Sequence, residues 1–438
     1  MYGLLDPLSW FLDSPFQSDR ISPDRALPDR PSPGNWAAVA VTLCGVCAFL
    51  QLYCTQPLLP LFTRIFHASK TGVGLTVSAA TLGVALSAPV FGALTEHLPR
   101  KRVIVASLLA VSIPTLLAAT SESLGQLILW RFLQGILVPG VVAVLVTYIG
   151  EEWPPERVAL MMSFYVSGTA LGGFLGRVVT GILTDWFNWR VAFLVLGAGS
   201  LAGASMVAAW LPPGRPRAAI AAGARPAFAP QVRNLLRSRR LVATYAVGFN
   251  VLFSLVGVFT WISFYLSAPP FQLSTTALST LFFVYLIGLV VTPAAGYCIT
   301  RVGLRAGIAG AIVCSMAGVV LTLAPSLAVI ILGLALVCCG VFVAQTAAQS
   351  HLRVAAPSGS RVTAAGLYMT CYYLGGSSAG VIPGAFWALG KWPACAWSIV
   401  AMQGVALGIA LLGWRTGDPA LDRQATESMN PETARSNL

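Results

Sequence analysis

The sequence predicts an all-α membrane protein whose helices form two pseudo-symmetric six-helix bundles of parallel orientation. Three observations lead to this fold class. The 438-residue chain is 56% hydrophobic and only 10% charged, whereas roughly 25% of residues are charged in ordinary soluble domains. Apolar stretches repeatedly reach the roughly 20 residues that a helix needs to cross the hydrocarbon of a bilayer. A shift of 204 residues then aligns motifs of the first half with motifs of the second.

Twelve transmembrane helices are expected from these apolar stretches. Lipid offers no hydrogen-bond partner to a backbone N–H or C=O group, so each span must satisfy its own backbone as a helix. The predicted spans are residues 36–60, 72–94, 103–120, 124–149, 158–184, 190–211, 241–267, 276–299, 305–324, 327–349, 361–388 and 393–413.

The segments outside the spans define the domain organisation. Residues 1–35 are rich in Pro and Asp and lack the apolar core of a signal peptide, so they are predicted to be a disordered cytoplasmic tail. A bundle over 36–211 and a bundle over 241–413 are joined by a cytoplasmic loop, 212–240, that is rich in Arg, Pro and Ala. Residues 414–438 form a second predicted cytoplasmic tail.

The formal net charge of +12 raises the question of nucleic-acid binding, but the cations are distributed as in a membrane protein. Loops on one predicted side hold most of the arginines, including the run Arg100, Lys101 and Arg102. The cations of the opposite side are Arg64, Lys70, Arg190 and Lys391. Because cytoplasmic loops carry such an excess, we expect both termini in the cytoplasm, a lipid bilayer as partner, and no nucleic acid.

The nine cysteines lie in or beside apolar segments. Cys44 and Cys47 have the spacing of a metal or redox pair, but no second ligand pair accompanies them. Small apolar cysteines pack well inside helices. The sequence therefore predicts no metal site, no cofactor and no disulfide.

The internal repeat covers both halves at one constant offset. The shift of 204 residues brings together Gly92 and Gly296, Arg157 and Arg361, Phe164 and Tyr368, and Gly172 and Gly376. An even number of predicted spans separates the two copies, so both halves have the same orientation in the membrane, related by an axis along the membrane normal.

Two motifs resemble signatures of the major facilitator superfamily. The stretch GALTEHLPRKR from Gly92 is similar to the motif between helices two and three of that family, with Glu96 at the acidic position and Arg100 and Lys101 at the basic ones. His97 departs from the usual pattern of that motif, as does Pro99.

The second motif is WRFLQG, whose Arg131 and Gln134 look like the family's arginine and glutamine early in helix four. The stretch QPLLPLF from Gln56 and the long stretch from Tyr165 look like those of bacterial inner-membrane permeases of the arabinose-efflux or drug-efflux type. The resemblance spans almost all of residues 36–414. The Gly-Pro pair that antiporters of the family often carry in helix five is missing here.

This resemblance implies the major facilitator fold and a secondary active transporter rather than an enzyme. It implies that a small organic solute crosses the inner membrane by alternating access, as efflux by an antiporter that uses protons. We expect a monomer without a cofactor. Two alternatives remain open, an uptake carrier for a small organic anion and a non-transporting receptor built on a permease fold.

The resemblance also implies a gate at the cytoplasmic side. Glu96 would face the start of the eleventh span near Ser360, and Arg100 would pair with Glu151 or Glu152. These contacts would latch the two halves together on the inner side. The alternative is that the basic cluster only anchors the loop to the membrane surface, since single surface ion pairs often contribute little.

Two columns of glycines are predicted to be helix-packing surfaces. Their members recur at every fourth residue, which lets helix backbones approach closely in lipid. The columns are Gly168, Gly172 and Gly176 in the fifth span and Gly376, Gly380 and Gly384 in the eleventh.

Two arginines, Arg131 and Arg177, lie inside predicted spans. Charged groups are costly there and usually face the protein interior or water. A guanidinium group recognises a carboxylate through two parallel N–H donors, so these residues are candidate ligands for an anionic group of the substrate. The structural alternatives are that Arg131 bonds backbone carbonyls and that Arg177 reaches toward Asp185 or the membrane interface.

Polar and aromatic residues are predicted to complete a pocket between the halves. Asn250, Ser254 and Trp261 fall on one face of the seventh span. Further candidates are Gln51, Tyr53, Gln134, Tyr285, Tyr368 and Tyr372. For any single aromatic residue the alternative is packing in the helical core.

The sequence gives no direct evidence for proton coupling. Every Asp and Glu lies in a tail, in a loop or at a helix end. Proton antiport would therefore depend on competition between substrate and protons at Glu96, Asp185 or another site.

Overall fold

The computed structural model describes residues 35–94, 98–214 and 228–414. The expectations for Glu96, for residues 215–227 of the central loop and for nearly all of the two tails lie outside the described residues.

The first half of the chain folds into helices only, in the part that the structure describes. These helices are α1 (Asn35–Leu50), α2 (Leu59–Ile65), α3 (Lys70–Leu94), α4 (Arg100–Ala118), α5 (Leu124–Leu137), α6 (Pro139–Glu152), α7 (Pro155–Trp186) and α8 (Trp189–Trp210). We refer to α1–α8 as the N-terminal half.

The second half is built in the same way. A short linker helix, α9 (Phe228–Arg237), precedes it. The C-terminal half then consists of α10 (Arg239–Leu266), α11 (Thr275–Thr280), α12 (Ile287–Val302), α13 (Leu304–Leu321), α14 (Leu327–Ala355), α15 (Arg361–Ala379) and α16 (Ile382–Gly413).

The helical membrane fold is confirmed, whereas the count of twelve spans stays a prediction. Ten helical stretches of the described residues are long and apolar enough to cross a membrane, and Trp36–Leu50 is a shorter apolar helix. One of the ten, Arg361–Gly413, has 53 residues because it comprises both α15 and α16. A single helix of that length would measure about 80 Å, whereas the hydrocarbon is about 30 Å thick. The backbone of α16 leaves the helical conformation at Gly390 and Lys391.

The first predicted span is an interrupted helix rather than a continuous one. After α1 ends at Leu50, a turn leads to a 3₁₀ helix over Gln56–Leu58 and then to α2. Pro57 lies at the start of the 3₁₀ helix, and proline restricts the residue before it and removes a donor. The break therefore releases the carbonyls at the end of α1 from helical hydrogen bonding.

A similar interruption occurs in the second half, where a 3₁₀ helix over Leu281–Leu286 separates α11 from α12. Both interruptions lie where the two halves face each other, and both contribute residues to the site described below.

The glycine column of α7 packs on α1. A Cβ atom placed on any of the three glycines would collide with main-chain atoms of α1, at Thr42, Val46 and Leu50 respectively. The second column does not lie on one helix, because Gly376 belongs to α15, Gly380 directly follows α15 and Gly384 belongs to α16. Gly376 faces Leu252 of its own half, whereas Gly380 approaches Gly74 of α3. The second column therefore forms part of the contact between the halves.

The two halves meet mainly near one end of the bundle, which the cation distribution predicts to face away from the cytoplasm. We call these the outer ends. A Cβ on Gly380 would lie 2.8 Å from the carbonyl oxygen of Gly74, and a Cβ on Gly181 of α7 would lie 3.0 Å from the carbonyl oxygen of Thr275 in α11. Beside the second contact, the backbone N–H of Thr276 donates to Asp185 at 2.7 Å.

The inner ends of the corresponding helices are less enclosed. A Cβ on Gly296 of α12 or on Gly366 of α15 would have no heavy atom within 4 Å. Val362, in the first turn of α15, is 88% exposed. The described conformation is thus closed between the halves at the outer ends.

Candidate functional site

Arg131 lies fully buried within the N-terminal half and has internal partners for most of its donors. A guanidinium group has five N–H donors. The Nε of Arg131 donates to the carbonyl of Thr76 at 3.1 Å, and its terminal nitrogens donate to the carbonyls of Gln51 and Leu52 and to the Oε1 of Gln134.

The break after α1 explains this arrangement. The carbonyls of Gln51 and Leu52 follow the last residue of α1, where no further helical turn supplies donors, and a cation is favourable at that helix end. The arrangement corresponds to the structural alternative for Arg131, and a role in substrate binding stays a prediction.

A chain of side-chain hydrogen bonds continues from Arg131 through the same half. Gln134 Nε2 donates to Thr115 at 2.8 Å, Thr115 donates to Gln51 Oε1 at 2.7 Å, and Gln51 Nε2 donates to Ser200. The chain ties α3, α4, α5 and α8 to the end of α1. Gln51 and Gln134, both predicted to line the pocket, belong to this network.

Arg177 of α7 lies in a different environment, between the two halves. Its Nε donates to Gln56 Oε1 at 2.8 Å and its Nη1 donates to the carbonyl of Gly173 at 2.6 Å. Its Nη2 donates to no residue that the structure describes. The residue is 2% exposed and lies nine residues before Trp186, about 13 Å from the outer end of the helix.

Three aromatic rings surround the guanidinium group of Arg177. Its central carbon lies 4.6 Å from the ring centroid of Tyr53 and 4.7 Å from those of Phe282 and Tyr285. The first ring belongs to the N-terminal half and the other two to the C-terminal half. Cation–π attraction at such distances is strongest where water is excluded. We call Arg177, Gln56, Tyr53, Phe282 and Tyr285 the interface cluster.

A hydrogen bond between Gln56 and Thr260 places this cluster at the centre of the contact. Gln56 Nε2 donates to the hydroxyl of Thr260 at 3.2 Å, and the two positions are 204 residues apart. They are therefore equivalent positions of the repeat. Two positions related by a two-fold axis contact each other only close to that axis, so the interface cluster lies beside the pseudo-symmetry axis.

No carboxylate compensates the charge of Arg177 among the described residues. The acids of the described spans are confined to helix ends: Glu151, Glu152, Glu156 and Asp185. Arg177 contacts none of them, and the alternative in which it reaches Asp185 is not observed. The hydroxyl of Tyr285, in the same cluster, is buried and has no hydrogen-bond partner in the part of the chain that the structure describes.

The predicted tyrosines of α15 form a neighbouring aromatic group. The rings of Tyr368 and Tyr372 lie 6.2 Å apart and those of Tyr372 and Tyr373 lie 5.3 Å apart. Tyr53 of the interface cluster is within electrostatic range of Tyr372 and Tyr373. The hydroxyl of Tyr368 is buried and has no hydrogen-bond partner within residues 35–94, 98–214 and 228–414.

The predicted polar face of α10 lies inside the C-terminal half. Ser254 donates to Asn250 Oδ1 at 3.3 Å. Trp261 donates from Nε1 to the carbonyl of Ala379 at 2.9 Å and packs against Gly384. None of these three predicted pocket residues contacts Arg177, and Trp261 has the environment of a core residue.

The predicted ion pair at the inner side is present but does not join the halves. Arg100 donates from Nε and Nη2 to the two carboxylate oxygens of Glu151 at 2.6 and 2.7 Å. Arg100 begins α4 and Glu151 lies at the end of α6, so both belong to the N-terminal half. The predicted pairing is therefore present inside one bundle, and a latch between the halves on this side stays a prediction.

The other residues of the predicted gate lie around this pair. Lys101 follows Arg100 in the first turn of α4, Glu152 is the last residue of α6, and Gly92 lies in the last turn of α3. Glu96 lies outside the described residues.

Sequence reasoning missed Gln56, Thr260 and Phe282 as parts of the site. Two signals were available. Gln56 is a polar residue in an apolar span directly before a proline, and the offset of 204 residues carries it onto Thr260, which is also polar.

Comparison with known proteins identifies the family. The family model of the Major Facilitator Superfamily matches residues 41–380. The chain is 33% identical over 376 residues to the MFS-type transporter YybF of Bacillus subtilis, covering 84% of this chain and 90% of YybF. It is 33% identical over 374 residues to the inner membrane transport protein YnfM of Escherichia coli, covering 84% of this chain and 88% of YnfM.

A solved structure shows the same fold at low sequence identity. A bacterial homologue of the human lysosomal transporter Spinster superposes with a TM-score of 0.66 at 17% identity, over 92% of this chain and 95% of the other. Together with the family match over most of the chain, the helical membrane fold leads to one conclusion. This chain belongs to the Major Facilitator Superfamily and is a membrane transporter.

Proposed function

We propose that this transporter moves a small organic solute across the bacterial inner membrane by alternating access, with the interface cluster as its binding site. The observation that carries the proposal is the position of Arg177, a buried cation beside the axis where Gln56 and Thr260 meet. Because both halves contribute rings around Arg177, any rotation of one half against the other must rearrange the site. The affinity for the substrate therefore differs between the two conformations, and this difference couples binding to the conformational change.

The contacts at the outer ends support a second accessible state. They are formed by small residues, by hydrogen bonds from Thr276 to Asp185 and to the carbonyl of Gly181, and by the ammonium group of Lys70 over the ring of Trp387. Such contacts can break and form again, because a transporter needs two states of similar free energy. With the outer ends closed, the described conformation corresponds to the inward-facing state in the predicted orientation.

For direction and coupling, we propose efflux of the solute in exchange for protons. The similarity of QPLLPLF to efflux-type permeases supports the direction, and the name of YnfM supports the inner membrane. The interiors of the described spans hold no Asp or Glu, so protons would act at Asp185, at Glu96 or on the substrate itself. We propose a monomer with both termini in the cytoplasm.

One observation favours a second candidate, an uptake carrier for a small organic anion. Arg177 is a cation without a carboxylate partner among the described residues. A site of this charge suits an anionic solute in either direction of transport.

Flux measurements in proteoliposomes test the proposal. Labelled solutes are screened with and without a pH gradient, using wild type, Arg177→Gln and the matched control Arg64→Gln, which removes an exposed cation at the outer side. Efflux predicts uptake into inside-out vesicles that an acidic interior drives, and loss of that uptake only in Arg177→Gln. Uptake into right-side-out vesicles supports the organic-anion carrier, and equal flux in both variants removes Arg177 from the function.

A further inference from the structure

The buried positive charge of Arg177 limits the class of substrate that the interface cluster can bind. A buried charge without a partner is strongly unfavourable, so native proteins pair it or saturate it with hydrogen bonds. Arg131 meets this requirement with three backbone carbonyls and one amide oxygen. Among the described residues, Arg177 has two oxygen partners, Gln56 and Gly173.

The donors left on Arg177 have a defined geometry. Of the five N–H groups of a guanidinium, the Nε donor and one Nη1 donor are used. One donor on Nη1 and two on Nη2 remain. Adjacent donors on the two terminal nitrogens form a fork that matches the two oxygens of a carboxylate.

The hydroxyl of Tyr285 adds a further donor. This hydroxyl is buried without a hydrogen-bond partner among the described residues, and the ring that carries it lies against the guanidinium group. A buried hydroxyl without a partner is unfavourable. An anion held by the fork of Arg177 would accept from this hydroxyl and satisfy both residues.

The walls of the cluster are aromatic rather than charged. The ring of Phe259 lies 5.1 Å from that of Phe282 and 4.7 Å from that of Tyr285, and Phe342 lies 6.5 Å from Tyr285. Flat apolar groups pack well among such rings. An ammonium group on the ligand would find no carboxylate near the cluster in the described residues. A second carboxylate would find only Arg131, which lies 3.7 Å from the sulfur of Cys54 beside Tyr53 but already donates to four oxygen atoms.

We infer that the interface cluster binds an aromatic monocarboxylate, with the carboxylate on Arg177 and Tyr285 and the ring among Tyr53, Phe259 and Phe282. The inference rests on the transport function proposed above and names the class of solute for that site. Arg131 has no part in this binding.

The inference is tested by binding to the full chain in lipid nanodiscs, measured by isothermal titration calorimetry. The probes are benzoate, phenylacetate and indole-3-acetate. Benzamide serves as the uncharged counterpart of benzoate, and terephthalate as its doubly charged counterpart. At least one of the three acids should bind, with benzamide and terephthalate at least tenfold weaker than benzoate if benzoate is that acid. Binding of none of the acids, or equal binding of the acid and its amide, overturns the inference.

Variants assign the binding to the named residues. Arg177→Gln should weaken the acid that binds by more than tenfold, and Arg177→Lys by less, since the charge is kept and the fork is lost. Tyr285→Phe should weaken binding several-fold without loss of folding, because its hydroxyl has no protein partner to lose. Tyr245→Phe is the matched control, since its buried hydroxyl also has no partner but lies about 22 Å away along α10 from Thr260.

The readouts separate this inference from the proposed function. An aromatic acid that binds through Arg177 but is not transported leaves the site in place and contradicts the transport proposal. A solute that is transported equally by wild type and Arg177→Gln, while the acids fail to bind, leaves transport in place and overturns the inference.

Discussion

The contact between Gly74 and Gly380 is predicted to hold the outer ends closed. Gly74 lies on α3 and Gly380 directly follows the last residue of α15. The Cβ of an alanine at position 74 would overlap the carbonyl oxygen of Gly380 and lie 3.4 Å from its carbonyl carbon. Both colliding groups belong to helix backbones, so no side-chain rotation relieves the overlap. Gly74→Ala should therefore destabilise the outer-closed state.

The size of the effect follows from the cost of overpacking. An added methyl group in a tightly packed contact costs about 1–3 kcal/mol. The α3 and α15 helices separate in the outward-open state, so this cost falls on the closed state alone. It corresponds to an increase of about 5- to 150-fold in the ratio of outward-open to outer-closed molecules.

The assay reads the opening at a distant position. Ser279 of α11 is buried against Gly181 of α7 in the other outer contact, so Ser279→Cys becomes reactive only when the halves separate there. The rate of labelling by a membrane-impermeant maleimide in right-side-out vesicles is compared between Gly74→Ala, Gly404→Ala and the parent. Gly404 is the matched control, since a Cβ there would have no heavy atom within 4 Å.

The labelling rate in Gly74→Ala should rise by about 5- to 150-fold, whereas the rate in Gly404→Ala should not change. An unchanged rate in Gly74→Ala would show that α3 and α15 keep their contact through the cycle. An equal rise in both variants would show that the added methyl acts on the fold rather than on the contact.

Three further predictions concern single residues. Arg131→Met should lower the thermal stability of the purified protein, because each backbone carbonyl left unpaired in the interior costs about 1–3 kcal/mol; unchanged stability with lost transport would instead restore its predicted role in binding. Thr260→Val removes the hydrogen bond from Gln56, which is worth about 0.5–1.5 kcal/mol. The labelling rate of Ser279→Cys should therefore rise about 2- to 10-fold. The control Thr244→Val should leave that rate unchanged, because the bonds of Thr244 stay within the C-terminal half. Arg100→Gln should leave the labelling rate unchanged and lower the stability by at most about 1 kcal/mol, because the pair with Glu151 stays within one half; a large change in labelling would support the predicted latch.

Much of the architecture was determined by the sequence alone. The length and repetition of apolar stretches determine that the chain is helical and spans the membrane, because unpaired backbone groups are not tolerated in lipid. The glycine columns were predicted to be packing surfaces, and Gly168, Gly172 and Gly176 do lie against the backbone of α1. Periodicity along one helix is a local property, so it can be recognised before the fold is known.

Relations between helices depended on the tertiary structure. Arg100 and Glu151 both belong to the first predicted bundle, but the two parallel hydrogen bonds of their pair are seen only in the structure. Trp261 shares a helical face with Asn250 and Ser254, yet its indole N–H is bonded to Ala379 in the core. Spacing along a helix tells which residues share a face but not what that face meets.

Arg131 and Arg177 show most clearly the difference between what the sequence predicts and what the tertiary structure decides. In the sequence both are single cations in apolar spans, and both were predicted to be candidate ligands for an anionic substrate, with Arg131 favoured. The structure separates them, because the end of α1 supplies Arg131 with the carbonyls of Gln51 and Leu52 whereas Arg177 keeps three donors among aromatic rings. How many donors an arginine retains depends on which backbone carbonyls lie within about 3 Å of it, and that is decided only when helices from distant parts of the chain come together.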